Sequence, residues 1–165
     1  MSVQKLTNAQ NTLLVIKNRL SFFDDFTNDE VLKITKDVEF KKYKKGEFIF
    51  EQSEKSKEIY YVINGSVDVL LGVQKKGSYS ISYENHVHLA TLSKRAIFGE
   101  MSAITSEPRS ARIVSHEDDT SLLKFGIDDV PRKDNKVIIA ILYQKFVEIL
   151  SEKLKTTTKK IYSEN

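Results

Sequence analysis

The sequence predicts a mainly β domain, an antiparallel jelly-roll-like β-barrel with helices at both ends. Two patterns predict this class: apolar residues recur at helical spacing near both ends of the chain, and short alternating runs separated by turn residues fill its middle. The length of 165 residues fits one domain. We therefore expect a single domain over residues 1–165, with N-terminal helices at about 8–40, a barrel at about 40–126 and a C-terminal helix at about 135–157.

The first segment is polar with apolar residues on one helical face. Two or three helices fit this pattern, and their apolar positions are Leu13, Leu14, Ile16, Leu20, Phe22, Phe23, Phe26, Val31, Leu32, Ile34 and Val38. Thr27 followed by Glu30 has the spacing of a capping box, which predicts a helix start. We interpret the aromatic side chains as packing surface.

The middle segment has the period of half-buried strands. Its apolar positions include Phe40, Tyr43, Phe48, Phe50, Ile59, Tyr61, Ile63, and then Ile81, Val87, Leu89 and Leu92. Turns are predicted at Lys44 to Glu47, in the polar run 52–58, at Asn64-Gly65, at Gly77 and at His116 to Asp119. About eight short strands of one antiparallel barrel follow from this count.

The last segment returns to helical spacing and predicts one long amphipathic helix. Its apolar positions are Ile138, Leu142, Phe146, Ile149, Leu150 and Leu154. We interpret Lys153, Lys155, Lys159 and Lys160 as a solvated helix end rather than a surface for DNA phosphates. The few residues after Leu154 leave no room for a helix-turn-helix, so we expect no DNA-binding domain and no direct DNA binding.

Composition excludes several classes of function. The chain has no cysteine, which rules out disulfides, thiolate metal sites and a cysteine nucleophile. A net charge of +3 does not indicate a nucleic-acid surface. We expect a cytoplasmic protein with no membrane partner, because no apolar run reaches the length of a span and the N-terminus lacks the pattern of a secretion signal. With no nucleophile elbow or metal-ligand cluster, we expect no catalytic residues, no metal and no enzymatic activity.

The most informative stretch runs from Phe98 to Ala111. Gly99 ends a strand-like segment and allows close approach of the backbone to a ligand, and residues 100–104 can form one helical turn whose free N–H groups favour an anion. Pro108 stops that turn, so Arg109 can return over the same loop with a guanidinium suited to phosphate oxygens. Ser110 adds a hydroxyl donor. The pattern therefore predicts a phosphate site.

Glu100 changes what this site would select. A carboxylate accepts hydrogen bonds, so a ligand that satisfies both Glu100 and Arg109 needs an anionic group beside a hydroxyl, as a ribose cyclic phosphate has. From these two residues alone, a simple Glu100–Arg109 ion pair across the loop remains an alternative.

The whole stretch resembles the phosphate-binding cassette of the cyclic-nucleotide-binding domain family. Phe98-Gly99-Glu100, a helical turn of small residues and Pro108-Arg109-Ser110-Ala111 carry the resemblance. It extends to the segments 43–50, 59–69 and 89–92, which look like early barrel strands and turn glycines of that family. With the flanking helices it covers the chain from Phe22 to about Leu154.

The resemblance implies a role for each matching residue. Glu100 would accept from the ribose 2′-hydroxyl and Arg109 would neutralise the cyclic phosphate. Main-chain N–H groups at Gly99, Glu100, Met101 and Ser102, the hydroxyl of Ser110 and the small Ala111 would complete the cradle. Leu89, Ala90, Phe98 and Met101 would line the pocket, and the terminal helix would cover the base. The implied ligand is cAMP or cGMP.

Two departures from the family pattern stand beside this resemblance. The turn Ser93-Lys94-Arg95-Ala96 lacks the usual glycine and acidic residue, and the run Gly126 to Lys136 contains Pro131, which predicts a curtailed helix before the lid. The resulting hypothesis is a stand-alone regulatory module that binds a cyclic nucleotide and signals through the C-terminal helix. The alternative is a ligand-free module that uses that helix to bind a second copy or an effector protein.

Overall fold

The computed structural model describes residues 7–74, 81–127 and 135–163. The helices in these ranges are α1 (Asn8–Ile16), α2 (Asn28–Ile34), α3 (Glu100–Thr105) and α4 (Lys136–Ser163), with 3-10 turns at Lys17–Arg19 and Ser21–Phe23. The strands are β1 (Glu39–Tyr43), β2 (Phe48–Phe50), β3 (Ile59–Asn64), β4 (Ser66–Gln74), β5 (Ile81–Ser93), β6 (Ile97–Phe98), β7 (Arg112–Ser115) and β8 (Thr120–Phe125). The predicted class, mainly antiparallel β with flanking helices, is confirmed.

The strands form two four-stranded sheets, in the orders β1-β8-β3-β6 and β2-β7-β4-β5. Every pairing between them is antiparallel. One prediction was wrong in detail: residues 81–93 form a single 13-residue strand rather than several short ones. Register shifts between Val69 and Leu70 and between Leu71 and Val73 let this long strand stay paired with β4. The turn expected at Gly77 and most of the run after Gly126 lie outside the described residues.

Alternating residues of β3 and β8 face two different cores. Tyr60, Val62 and Leu122 pack with side chains of the other sheet, so this core fills the space between the sheets. Ile59, Tyr61, Leu123 and Phe125 belong to a second cluster that includes the N-terminal helices and α4. The helices therefore cover the outer face of the β1-β8-β3-β6 sheet.

Aromatic rings fix the terminal helix on this sheet. The ring of Phe22 stacks on Phe146 of α4 at 5.9 Å and lies 5.9 Å from Phe125 of β8. The capping box predicted at Thr27 and Glu30 is confirmed and starts α2, which ends at Ile34 because the chain then turns into β1. Leu154, assigned to the apolar face of α4 from its spacing, is instead 68% exposed.

No helix within the described residues has both the length and the apolar character that crossing a membrane requires. The same described residues contain no cluster of three or more His, Cys, Asp or Glu that could hold a metal ion.

Candidate functional site

A cavity of about 840 Å³ lies between the β2-β7-β4-β5 sheet, the loop from β6 to β7 and helix α4. All ten residues predicted to bind a ligand line it: Leu89, Ala90, Phe98, Gly99, Glu100, Met101, Ser102, Arg109, Ser110 and Ala111. Helix α4 contributes Lys145, Glu148, Ile149, Glu152, Lys153, Thr156 and Thr157. The volume is in the range of small-molecule sites. The fold thus brings the predicted residues to one place.

Arg109 is held in this cavity wall by a set of polar contacts. Its Nη1 donates to the carbonyl of Gly99 at 2.9 Å. Its Nη2 donates to the hydroxyl of Ser56 at 2.8 Å and to the carbonyl of Glu58 at 2.7 Å. The Glu58 carboxylate lies 3.8 Å from Nη2. These contacts fix the guanidinium between three segments of chain.

The guanidinium of Arg109 is almost fully buried, since its side chain is 1% exposed. It lies over the ring of Phe50, with Cζ 4.1 Å from the ring centroid. Burial lowers the pKa of Arg109, although nearby acidic groups oppose that shift. Its Nε is buried and has no hydrogen-bond partner among the described residues. A buried cation with one unused donor is a site that an anionic group can stabilise.

Glu100 begins α3 and is 1% exposed. It does not pair with Arg109; its Oε1 accepts a hydrogen bond from Lys153 Nζ of α4 at 2.6 Å. The simple Glu100–Arg109 ion pair left open from the sequence is therefore not what the structure contains. The two side chains take different partners on the wall of one cavity.

Lys153 corrects one interpretation made from the sequence. It was assigned to a solvated helix end, yet its side chain is 34% exposed and its ammonium reaches the buried carboxylate of Glu100. Lys155 and Lys159 are exposed as predicted. The lysines differ because they lie on different faces of the helix. Lys153 lies on the face that lines the cavity, one turn after Ile149.

Three residues that support Arg109 were not identified from the sequence: Phe50, Ser56 and Glu58. Phe50 was predicted only as a strand residue, and the other two lie in the polar run 52–58. The Ser56 hydroxyl also donates to the Glu58 carboxylate, and this bond is the main cause of the lowered pKa of Glu58. No local pattern reveals these contacts, because they join residues about fifty positions apart.

The turn without its usual glycine has a definite geometry. Arg95 adopts the left-handed conformation that glycine favours, with φ of 75°. Its N–H donates to the carbonyl of Val62 at 2.8 Å, and the carbonyl of Ala96 accepts from the N–H of Val62 at 2.9 Å. Two backbone bonds to β3 hold the turn, and the Arg95 side chain lines the rim of the cavity.

Comparison with known protein families gives one match. The model of the cyclic nucleotide-binding domain family matches residues 40–132, which is more than half of the chain. Among curated proteins, the human cGMP-dependent protein kinase 2 is 26% identical over 104 residues. That alignment covers 63% of this chain and 13% of the kinase, so the chain spans a small part of this relative.

Solved structures share the fold at low sequence identity. A cyclic nucleotide-binding domain from Methylobacillus flagellatus is similar with a TM-score of 0.71 and 20% identity, covering 94% of this chain and 84% of that one. The catabolite activator protein of Thermus thermophilus gives 0.62 and 24%, covering 85% and 61%. The regulatory domain of Toxoplasma gondii PKA with cAMP gives 0.64 and 17%, covering 87% and 50%.

Proposed function

Because the chain belongs to the cyclic nucleotide-binding domain family, we propose that it is a regulatory module that binds cAMP or cGMP in the cavity beside α4. The nucleotide is a ligand and not a substrate, so the module acts as a sensor. Its output is movement of the C-terminal helix. A ligand moves such a helix only if it binds one helix position more tightly than another. The position of α4 as one wall of the cavity supports this proposal, because the ligand would contact the helix directly.

One observation carries the proposal: a buried guanidinium and a buried carboxylate, with different partners, line the same cavity. The positively charged guanidinium of Arg109 suits a phosphate group. The carboxylate of Glu100 suits a ribose hydroxyl. The main-chain N–H groups of residues 99–102, with Ser110 and Ala111, complete the phosphate side, and Leu89, Ala90, Phe98 and Met101 form the apolar side.

Calorimetric titration of the full chain with cAMP and with cGMP tests this function. At least one of them should bind with one-to-one stoichiometry, and noncyclic 5′-nucleotides should bind much more weakly. The same ligand should raise the melting temperature, because a ligand that binds only the folded state stabilises it by about 2.7 kcal/mol at a hundred times Kd. Absence of heat and of a thermal shift with millimolar ligand would contradict the proposal.

The titration also decides between the two nucleotides. The human relative is named for dependence on cGMP, whereas the Toxoplasma domain was crystallised with cAMP. Both nucleotides carry the same cyclic phosphate and the same 2′-hydroxyl, so Arg109 and Glu100 serve either one. The ratio of the two dissociation constants therefore measures how much the base contributes to the difference in affinity.

A second candidate function is a ligand-free module that binds a second copy or an effector protein through α4. The observation that favours it is a pair of exposed apolar residues two turns apart on one side of this helix, Val147 and Leu154, which are 62% and 68% exposed. Sedimentation velocity of the wild-type chain tests self-association, with Val147→Glu as the variant that should abolish it. A monomer at high concentration would leave only the effector form of this function.

A further inference from the structure

We propose that Lys153 sets how strongly the cavity selects a ligand with a hydroxyl group beside its phosphate, because the Lys153 ammonium competes with that hydroxyl for Glu100. The inference rests on the proposed function and adds a residue of α4 to the selectivity of that site. It makes the contact between helix and cavity part of ligand recognition.

Glu100 and Lys153 differ in how much of each side chain is exposed to solvent. The Glu100 side chain is 2% exposed and sits at the start of α3, so its carboxylate cannot move far. The Lys153 side chain is 34% exposed, so its ammonium can also reach water. The Nζ–Oε1 distance of 2.6 Å shows a close charge-assisted bond. We infer that a ligand hydroxyl that donates to Oε1 takes the place of this ammonium.

Displacement has a consequence for the helix. The Lys153–Glu100 bond joins α4 to α3, and it lies about two turns beyond Phe146, the last buried residue of α4 in the larger core cluster. A ligand hydroxyl that replaces Lys153 on Glu100 therefore removes this contact between α4 and α3. Coupling between two binding events is reciprocal, so the ammonium weakens the hydroxyl contact by the same factor that the hydroxyl weakens the ammonium contact.

Removing the ammonium alone would change two things at once, the competition and the positive charge near the phosphate. Comparing a cyclic ribonucleotide with its 2′-deoxy analogue separates them. Both ligands carry the same phosphate, so the lost charge affects both equally. Only the ribonucleotide has the hydroxyl that competes with Lys153.

The experiment measures Kd for the preferred cyclic nucleotide and for its 2′-deoxy analogue with wild type, Lys153→Met and Lys155→Met. Lys155 is exposed on the same helix and does not line this cavity, so its variant is the matched control. The ratio of deoxy Kd to ribo Kd should rise about tenfold in Lys153→Met, the worth of one hydrogen bond to a charged group. It should stay at the wild-type value in Lys155→Met.

Amide hydrogen exchange gives an independent readout. In wild type, exchange over residues 150–157 should be faster with the ribonucleotide than with the 2′-deoxy analogue, and in Lys153→Met it should be the same with either ligand. Lys153→Gln replaces Lys153→Met should the latter fail to fold. If wild type binds the nucleotide but the ratio is the same in all variants, or is lower in Lys153→Met, the role of Lys153 is wrong. The proposed function is not affected by that result. Failure of wild type to bind either nucleotide overturns this inference together with the proposed function.

Discussion

The side chain of Arg109 and the backbone of Gly99 are packed in direct contact. Nη1 of Arg109 donates to the Gly99 carbonyl at 2.9 Å. A Cβ atom on residue 99 would lie 2.8 Å from the same Nη1 and 2.7 Å from the carbonyl oxygen of Glu58. Residue 99 also has φ of 85°, in the left-handed region. Only glycine lets the buried guanidinium sit this close to the main chain.

Replacing Gly99 with alanine should therefore damage both the fold and the site. The new methyl group would push on Arg109 and on the Glu58 carbonyl, which is backbone and cannot move aside. We expect a loss of about 2 kcal/mol beyond the cost of the left-handed conformation itself. Urea unfolding measures this loss, and titration with the preferred cyclic nucleotide should show weaker binding.

Gly46→Ala is the matched control for this variant. Residue 46 has φ of 80°, and nothing lies within 4 Å of a Cβ built on it. Alanine there should cost about 1 kcal/mol, from the left-handed conformation alone, and should leave nucleotide binding unchanged. Equal destabilisation by the two variants would show that close approach at Gly99 has no energetic weight.

The fold was predictable because its signals are local. The alternation between residues 40 and 126 predicted antiparallel strands, and the helical spacing after residue 135 predicted α4. The cassette residues were found for the same reason: glycine, glutamate and arginine stand within one short segment, at positions 99, 100 and 109. The short helix α3 and the turn at Pro108 lie between Glu100 and Arg109, and both features are encoded within the same segment.

Residues that reach the cavity from distant segments were not predictable. Lys153 and Lys155 are both lysines in the same polar stretch of the sequence, and only the packing of α4 brings Lys153 to Glu100. Ser56 lies in a polar loop, and nothing in the neighbouring sequence indicates that its hydroxyl accepts a hydrogen bond from Arg109. The single strand over residues 81–93 was missed because the extra residues at its two register shifts with β4 lie in this strand and interrupt its simple alternation.

Conservative replacement of Arg109 tests the phosphate role. Arg109→Lys keeps the positive charge but cannot donate to Gly99, Ser56 and Glu58 at once, nor present a forked pair of donors to a phosphate. We expect cyclic nucleotide binding to weaken roughly 10- to 100-fold by calorimetry. Arg109→Ala should in addition lower the free energy of unfolding by roughly 3 kcal/mol, because it leaves buried acceptors without donors.

Arg112→Lys provides the comparison for Arg109→Lys. Arg112 pairs with Glu51 and lies over the ring of Phe48, and it does not line the cavity beside α4. Its replacement should leave the affinity for the nucleotide within twofold of wild type. A phosphate role for Arg109 would be refuted by equal affinities in the two lysine variants.

Removal of the Glu100 carboxylate tests the hydroxyl role. Glu100→Ala should weaken binding of the cyclic ribonucleotide about tenfold or more, since a hydrogen bond to a charged acceptor is lost. The 2′-deoxy analogue should lose little, so the ratio between the two ligands should fall toward one. Glu107→Ala, a change at an exposed residue outside this cavity, should keep the wild-type ratio. Equal losses of affinity for the two ligands would show that the 2′-hydroxyl does not bind Glu100.

Asp68 predicts how stability depends on pH. This residue of β4 accepts from the Thr91 hydroxyl at 2.7 Å, and its two oxygens lie 2.9 Å from His88 Nε2 and 2.8 Å from His116 Nδ1. Partial burial alone would raise the pKa of Asp68. The hydrogen bonds from Thr91, His116 and His88 outweigh it, and the pKa is lowered from its ordinary value of 3.8.

A carboxyl whose pKa is lower in the folded state stabilises the fold above its ordinary pKa and loses that contribution as pH falls through the folded value. Free energies of unfolding from urea titrations between about pH 6 and about pH 2 should therefore fall toward acid in wild type, and Asp68→Asn should flatten the part of that fall below the ordinary value. Thr91→Val removes one of the three donors and should give an intermediate curve. The hydrogen bonds at Asp68 would have no net effect on stability if the wild-type and Asp68→Asn curves stayed parallel through the acid range.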